Sequence, residues 1–324
     1  MILFLLSCLI WGSPSVAQEV RINIGATGSS SGYYAYFVAM GNAIKTHDPQ
    51  IIPTVIETGG STDNADRLMR KQIHAGLGNN MTAYQAYMGQ GKWEGKPFKE
   101  LRGLWCYTGP LPLDIVVRED SGVNSIHELT GKKFCPGARG SGNEKMIENI
   151  FKLLNIKPDY YRGGFGDAAE ALERGQIVGL TKFAAGENIG DAQVMSIAAK
   201  TKIKWLSISE EDLKKIREAF PFLGLAGHPP NVYKGQNYEV RGFSPGAAIV
   251  ITATHVSPEL GYRMCKAIWK GRDIQGQAFK AFKGIDPFAL AVKDSIIPMH
   301  VGMVKFCKEL GLDVPAKLIP PEYK

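Results

Sequence analysis

The segment Gly28-Ser29-Ser30-Ser31-Gly32 gathers bare backbone N–H groups and short hydroxyls at one point of the chain. Before it, Val20, Ile22 and Ile24 alternate with polar residues, as on a half-buried strand. After it, Tyr33, Phe37, Met40 and Ile44 recur at helical spacing. The loop therefore opens a helix. The first amides of a helix have no intrahelical partner and its dipole favours negative charge, so the chemistry on offer is anion binding. For one such loop alone, a tight serine-capped turn is the alternative.

The phrase recurs. Residues 52–57 read as a strand, Thr58-Gly59-Gly60-Ser61 as a loop and 62–70 as a helix; then 73–78 as a strand, Asn79-Asn80 as a turn and 81–88 as a helix. Three consecutive strand-to-helix turns with small or amide side chains imply a parallel α/β lobe whose ligand crevice lies at the carboxyl ends of its strands. Strands follow at 101–107 and 113–118, and Glu119-Asp120-Ser121-Gly122 breaks the pattern. A second unit begins with a helical turn at 125–129 and a strand at 132–135. Gly137-Ala138-Arg139-Gly140-Ser141-Gly142 and an amphipathic helix at 143–154 complete the same phrase. Further strands are expected at 160–164 and 177–181, and helices at 187–199 and 210–220. A turn-rich stretch at 227–237 is followed by strands at 238–241 and 247–253 and a helical tail over 257–310.

An uncharged apolar run from Met1 to Trp11, followed by Ser15-Val16-Ala17, reads as a signal peptide over residues 1–17. That run is shorter than the roughly 20 residues a membrane span needs. Leu5-Leu6-Ser7-Cys8 also resembles a lipoprotein box with a very short leader. Export to the periplasm is the expectation. The remaining chain of about 307 residues suits two lobes, with residues 18–117 plus 247–324 forming lobe 1 and 118–246 lobe 2. Hinge segments are expected near 118–120 and 242–247.

Lys and Arg number 38 against 31 Asp and Glu, a net +7. No basic run concentrates that charge, which argues against nucleic-acid binding and suits a small anionic ligand. Cys106, Cys135, Cys265 and Cys307 each adjoin a large apolar residue and none has metal-ligand spacing, so buried thiols are expected rather than disulfides or a metal site. Neither glycine loop spells G-x-G-x-x-G with an acidic residue about 20 positions on, so no dinucleotide or other cofactor is expected.

Taken together, Gly25-Ala26-Thr27-Gly28 with Gly32-Tyr33-Tyr34, Thr58-Gly59-Gly60-Ser61 with Asn64, Val116-Val117-Arg118 with Asp120-Ser121-Gly122, Gly137 to Gly142 with Glu144, Gly186-Glu187-Asn188, and Ile297-Pro298-Met299-His300-Val301-Gly302 ending in Glu309-Leu310-Gly311 resemble the solute-binding proteins of TAXI-type TRAP transporters. The resemblance spans nearly all of the chain beyond the leader. It implies an α/β, type II periplasmic-binding-protein-like fold, two lobes each built on a mostly parallel sheet flanked by helices, joined by a two-stranded hinge. It implies capture of a small solute, often a carboxylate or amino acid such as a glutamate-like ligand, and delivery to an ion-coupled TRAP permease by a monomer. Ligand-facing positions map to Thr27, Ser29, Ser30, Ser31, Tyr33 and Tyr34, to Thr58, Gly59, Gly60 and Ser61, to Asn79 and Asn80, and to Arg139, Gly140, Ser141 and Gly142. Arg139 is the one residue of these loops able to grip a carboxylate through two parallel hydrogen bonds. Arg139 stands where family members often carry proline, and the serine loop is more crowded than usual, so no particular ligand carries over.

Two other readings compete. A sensor would present the same solute to a signalling partner instead of a permease. Gly28-Ser29-Ser30-Ser31-Gly32 also matches the G-x-S-x-G elbow of serine hydrolases, with Ser30 as nucleophile and His228, His255 or His300 downstream. The hydrolase fold places other strands before its elbow, whereas only residues 18–24 precede this loop beyond the leader, so a non-enzymatic binder is the expectation. Lys182 lines the second lobe's side of the cleft or lies on the surface; His300 reads as structural, and Trp105 and Tyr107 as core.

Overall fold

Residues 19–220 and 223–324 are described by the computed structural model; the expected signal peptide and its cleavage site lie outside them. The strands are β1 (Val20–Gly25), β2 (Ile51–Ile56), β3 (Ala75–Asn79), β4 (Leu101–Pro110), β5 (Leu113–Arg118), β6 (Lys133–Cys135), β7 (Asp159–Tyr160), β8 (Gly179–Phe183), β9 (Ile203–Trp205), β10 (Gly224–His228), β11 (Val240–Ser244) and β12 (Ala247–Ala253). The α-helices are α1 (Gly32–His47), α2 (Ser61–Met69), α3 (Asn80–Met88), α4 (Gly142–Leu153), α5 (Phe165–Glu173), α6 (Ala192–Lys200), α7 (Glu210–Ala219), α8 (Pro258–Lys270), α9 (Arg272–Ala278), α10 (Pro287–Asp294) and α11 (Val301–Glu309).

Two five-stranded sheets carry the two lobes, in the orders β2-β1-β3-β12-β4 and β7-β6-β8-β5-β9. β1 pairs in parallel with β2 and β3, while β12 runs antiparallel to β3 and β4. In the second sheet β6 is parallel to β7 and β8, and β5 is antiparallel to β8 and β9. Each sheet is thus mostly parallel with one reversed strand. Position in the sheet follows composition. β12, between β3 and β4, is buried at all seven residues and is apolar but for Thr252, whose hydroxyl donates to His74 O, as suits a strand covered on both faces. Pro53 removes one ladder donor and sits in β2, at the edge.

The first core packs around Ile22, Ile24, Phe37, Met40 and Trp105, with the Tyr36 and Tyr107 rings stacked at 4.3 Å. The second sheet has a core on each face. Ile115 and Val117 turn to one and Val116 to the other, as the two-residue period requires.

The chain leaves the first sheet at Pro110, enters the second at Leu113, and returns between Ser244 and Ala247. The outward crossing is therefore at 110–113 and not near Arg118–Asp120, because the whole of β5 pairs with β8 and β9; residues 113–117 belong to the second lobe. Other elements also depart from the sequence reading. Residues 187–188 form a turn closed by a bridge between Gly186 and Ile189, and helix begins only after Asp191 caps it. α5 was not expected, since three glycines precede or interrupt its first turn, yet Ala168, Ala171 and Leu172 bury one face. On either side of the turn-rich stretch, β10 and β11 pair antiparallel.

Candidate functional site

Five helices begin at one place. The N-caps of α1 (Ser31), α2 (Gly60), α3 (Asn79), α4 (Ser141) and α5 (Gly164) all line a cavity of about 220 Å³ between the two lobes. Three arise from β1, β2 and β3 of the first lobe, and two from the second. Side chains fix three of them: Tyr33 N donates to Ser31 Oγ at 3.3 Å, Thr82 N to Asn79 Oδ1 at 2.8 Å and Glu144 N to Ser141 Oγ at 3.1 Å. Each such cap is worth about 1 kcal/mol. Gly60 caps α2 at φ +97°, a conformation that disfavours any side chain.

The dipoles are unequally opposed. α2, α4 and α5 carry Asp63, Glu144 and Asp167 in their first turns, whereas α1 and α3 have no acid there. Glu144 Oε2 accepts from Gly140 N at 2.7 Å, and Arg162 Nη1 donates to Glu144 Oε1 at 2.6 Å. The guanidinium offsets part of the charge that Glu144 brings to the α4 terminus.

Lys182, on β8, is the one buried charge among the described residues that line the cavity. Its Nζ donates to Ser31 Oγ of the other lobe at 3.3 Å and to Gln193 Oε1, lies 3.6 Å from Asp191 Oδ2 and 3.8 Å from the centre of the Phe165 ring. Burial holds its ammonium below the usual lysine range, with Asp191 acting against that. Behind it, Tyr233 Oη donates to Asp114 Oδ2 and accepts from Asp191 N at 2.8 Å, while His228 Nε2 lies 3.2 Å from Asp114 Oδ1, misaligned for a hydrogen bond. Burial raises Asp114 above the usual carboxylate range. Burial alone would lower His228, but the Asp114 carboxylate outweighs it and the net shift is upward. Much of the remaining wall is apolar, with Leu77, Tyr107, Leu111, Phe165, Phe183 and Ala248, and Glu57 and Asn143 also line it.

Of the positions singled out from the sequence, Thr27, Ser31, Tyr33, Thr58, Gly59, Gly60, Ser61, Asn79, Arg139, Ser141 and Gly142 line this cavity. Ser29, Ser30, Tyr34, Asn80 and Gly140 do not. Ser29 N donates to Glu57 Oε1 at 2.9 Å, so a carboxylate of the protein already holds that loop amide. Ser30 Oγ accepts from Gln193 Nε2 at 2.8 Å across the lobes. Tyr34 packs against the first core, and Asn80 Nδ2 donates to Asp294 O at 2.6 Å. Arg139 is exposed at the cavity edge.

The lobes touch around the cavity. Gly142 N donates to Ser61 Oγ at 3.1 Å, and Tyr33 Oη donates to Ala184 O at 2.7 Å. Met81, at the start of α3, packs into the second lobe's core.

The hydrolase arrangement is not assembled. Ser30 meets Gln193, while His228, His255 and His300 bind the carbonyls of Glu187, Ile73 and Val256 respectively. His300 also caps α11, its Nδ1 accepting from Gly302 N at 3.2 Å. Trp105 is core, whereas Tyr107 is both buried and part of the cavity wall.

Residues 24–311 match the NMT1-like family. The chain belongs to that family. Solved structures like this NMT1-like protein include the alkanesulfonate-binding protein SsuA from Xanthomonas axonopodis pv. citri bound to MOPS, at 12% identity and TM-score 0.50, covering 94% of this chain and 97% of that one. A putative L-cystine ABC transporter protein from Listeria monocytogenes is 12% identical at TM-score 0.51, covering 80% and 96%. The ligand-binding component of an ABC-type import system from Staphylococcus aureus is 12% identical at TM-score 0.50, covering 94% and 98%. These likenesses speak to the fold, which is the two-lobed architecture of solute-binding proteins.

Proposed function

We propose that this NMT1-like protein captures a small anionic solute, a carboxylate or an amino acid bound through its carboxylate, between its lobes and delivers it to a membrane permease. The observation that carries this reading is the convergence of five helix N-termini and the buried Lys182 on one inter-lobe cavity. Micromolar binding needs about 8 kcal/mol. A helix terminus supplies about 0.3–1 kcal/mol and a charge-assisted hydrogen bond about 1.5–3 kcal/mol, so no single loop suffices. Acting together they approach the requirement, and the apolar wall adds burial of the solute's carbon skeleton. Lys182 would meet the carboxylate, with Ser31, Ser141 and the α3 terminus around it. Arg139 at the cavity edge would make a weaker, solvent-screened contact.

The ordered motif set described above supports an ion-coupled TRAP permease as the partner, with the mature chain exported and cleaved after Ala17. A second reading, an ABC-type importer, is favoured by the solved neighbours that belong to ABC systems. Titration calorimetry of the purified mature chain with small carboxylates and amino acids tests the solute class. Transport by liposomes carrying a candidate permease of either type tests the partner, and the intact mass of the exported protein tests the cleavage site.

A further inference from the structure

Two serines of the crowded loop are held by one device in the opposite lobe. Gln193, second residue of α6, accepts from Lys182 Nζ through Oε1 and donates to Ser30 Oγ through Nε2 at 2.8 Å. Lys182 itself reaches Ser31 Oγ at 3.3 Å. Asp191 completes the unit by capping α6, accepting from Gln193 N at 2.9 Å, and by standing 3.6 Å from the ammonium. The Gln193 amide has only one workable orientation. An ammonium has donors and no acceptor, so turning the amide over would set NH2 against NH3⁺. The cation therefore dictates that a donor faces Ser30.

We infer that Gln193 is a positioning residue that couples the cleft's cation to closure of the lobes, the pair Gln193–Ser30 acting as a latch outside the cavity. The inference rests on the solute-binding reading, but the latch acts in the solute-free chain. The Ser30 hydroxyl serves lobe closure there, not solute contact. Closure that depends on Lys182 makes recognition of an anion and sealing of the cleft parts of one event.

Hydrogen exchange on the full mature chain without added solute is the test. Gln193→Ala and Ser30→Ala should each speed exchange across residues 27–34 by about threefold to tenfold, the range one net hydrogen bond supports. The double variant should be no faster than the faster single one, while the midpoint of thermal unfolding stays unchanged. Gln193→Glu should restore protection, because its carboxylate pairs with Lys182 and accepts from the Ser30 hydroxyl. Wild-type exchange in Gln193→Ala, additive effects in the double variant, or Gln193→Glu as exposed as Gln193→Ala would each overturn the latch. Calorimetry of the wild type with acetate and L-glutamate judges the solute reading separately, since loss of that reading leaves the exchange pattern intact.

Discussion

Gly142 N, at the start of the second lobe's α4, donates to Ser61 Oγ, at the start of the first lobe's α2, over 3.1 Å. Two helix termini thus meet head to head across the cleft. A Cβ at Gly142 would fall 2.4 Å from both Ser61 Oγ and Thr82 Oγ1. Gly142→Ala should therefore prevent the lobes from closing while leaving each lobe folded. Small-angle scattering should show a larger radius of gyration than the wild type under saturating solute, with unchanged far-ultraviolet circular dichroism.

Asn64 fixes the carboxyl ends of β1 and β3, its Nδ2 donating to Gly25 O at 3.2 Å, Ala26 O at 2.9 Å and Leu77 O at 3.1 Å from a fully buried position. Asn64→Ala removes these three hydrogen bonds, although Ala26 O keeps the Thr58 hydroxyl, a loss of about 2–4 kcal/mol. The midpoint of urea unfolding should drop accordingly.

Acid should release the C-terminus. Arg102 on β4 donates through Nε and Nη2 to the two carboxylate oxygens of Glu322, each at 2.7 Å, and this pairing holds Glu322 below the usual glutamate range. A depressed carboxylate contributes stability that is fully present above its unfolded value and is lost as pH falls through its folded one. Glu322 is more than a third exposed, so solvent screens the pair and Glu322→Gln should cost about 1 kcal/mol at neutral pH. Below the ordinary glutamate value of 4.5, wild type and variant should converge in thermal stability.

The four described thiols should be inert in the folded chain. Cys106, Cys135, Cys265 and Cys307 are free and buried, and burial pushes the Cys135 thiol up to about 11 and that of Cys307 to about 12. A thiol-specific disulfide reagent should label none of the four until denaturant is added, and peptide mapping after alkylation should find all four unpaired.

The sequence was legible where local chemistry decides local structure. β1 to α1, β2 to α2, β3 to α3 and β6 to α4 each switch from a two-residue to a helical period across small or capping residues, and each fell within a few residues of its expected place. What was hidden depends on tertiary partners. Nothing in the run Leu113 to Arg118 says which sheet it joins; only its pairing with β8 and β9 does. Lys182 follows Thr181, where the expected strand ends, so its burial shows only through Ser31, Asp191 and Gln193 around it. The serine loop misled in the other direction. Its composition suited an anion, but Glu57 takes the Ser29 amide and Gln193 the Ser30 hydroxyl, leaving Ser31 to the cavity.

The most direct measurement compares Lys182→Met with Arg139→Ala. The mature wild type is screened by thermal shift against small carboxylates, amino acids, and neutral and cationic analogues, and the best binder is then titrated by calorimetry into all three proteins. The best binder should be an anion or carry a carboxylate. Lys182→Met should weaken it at least tenfold, about 1.4 kcal/mol or more, with Arg139→Ala costing clearly less. A best binder that is neutral or cationic, or undiminished binding by a folded Lys182→Met, would contradict the account.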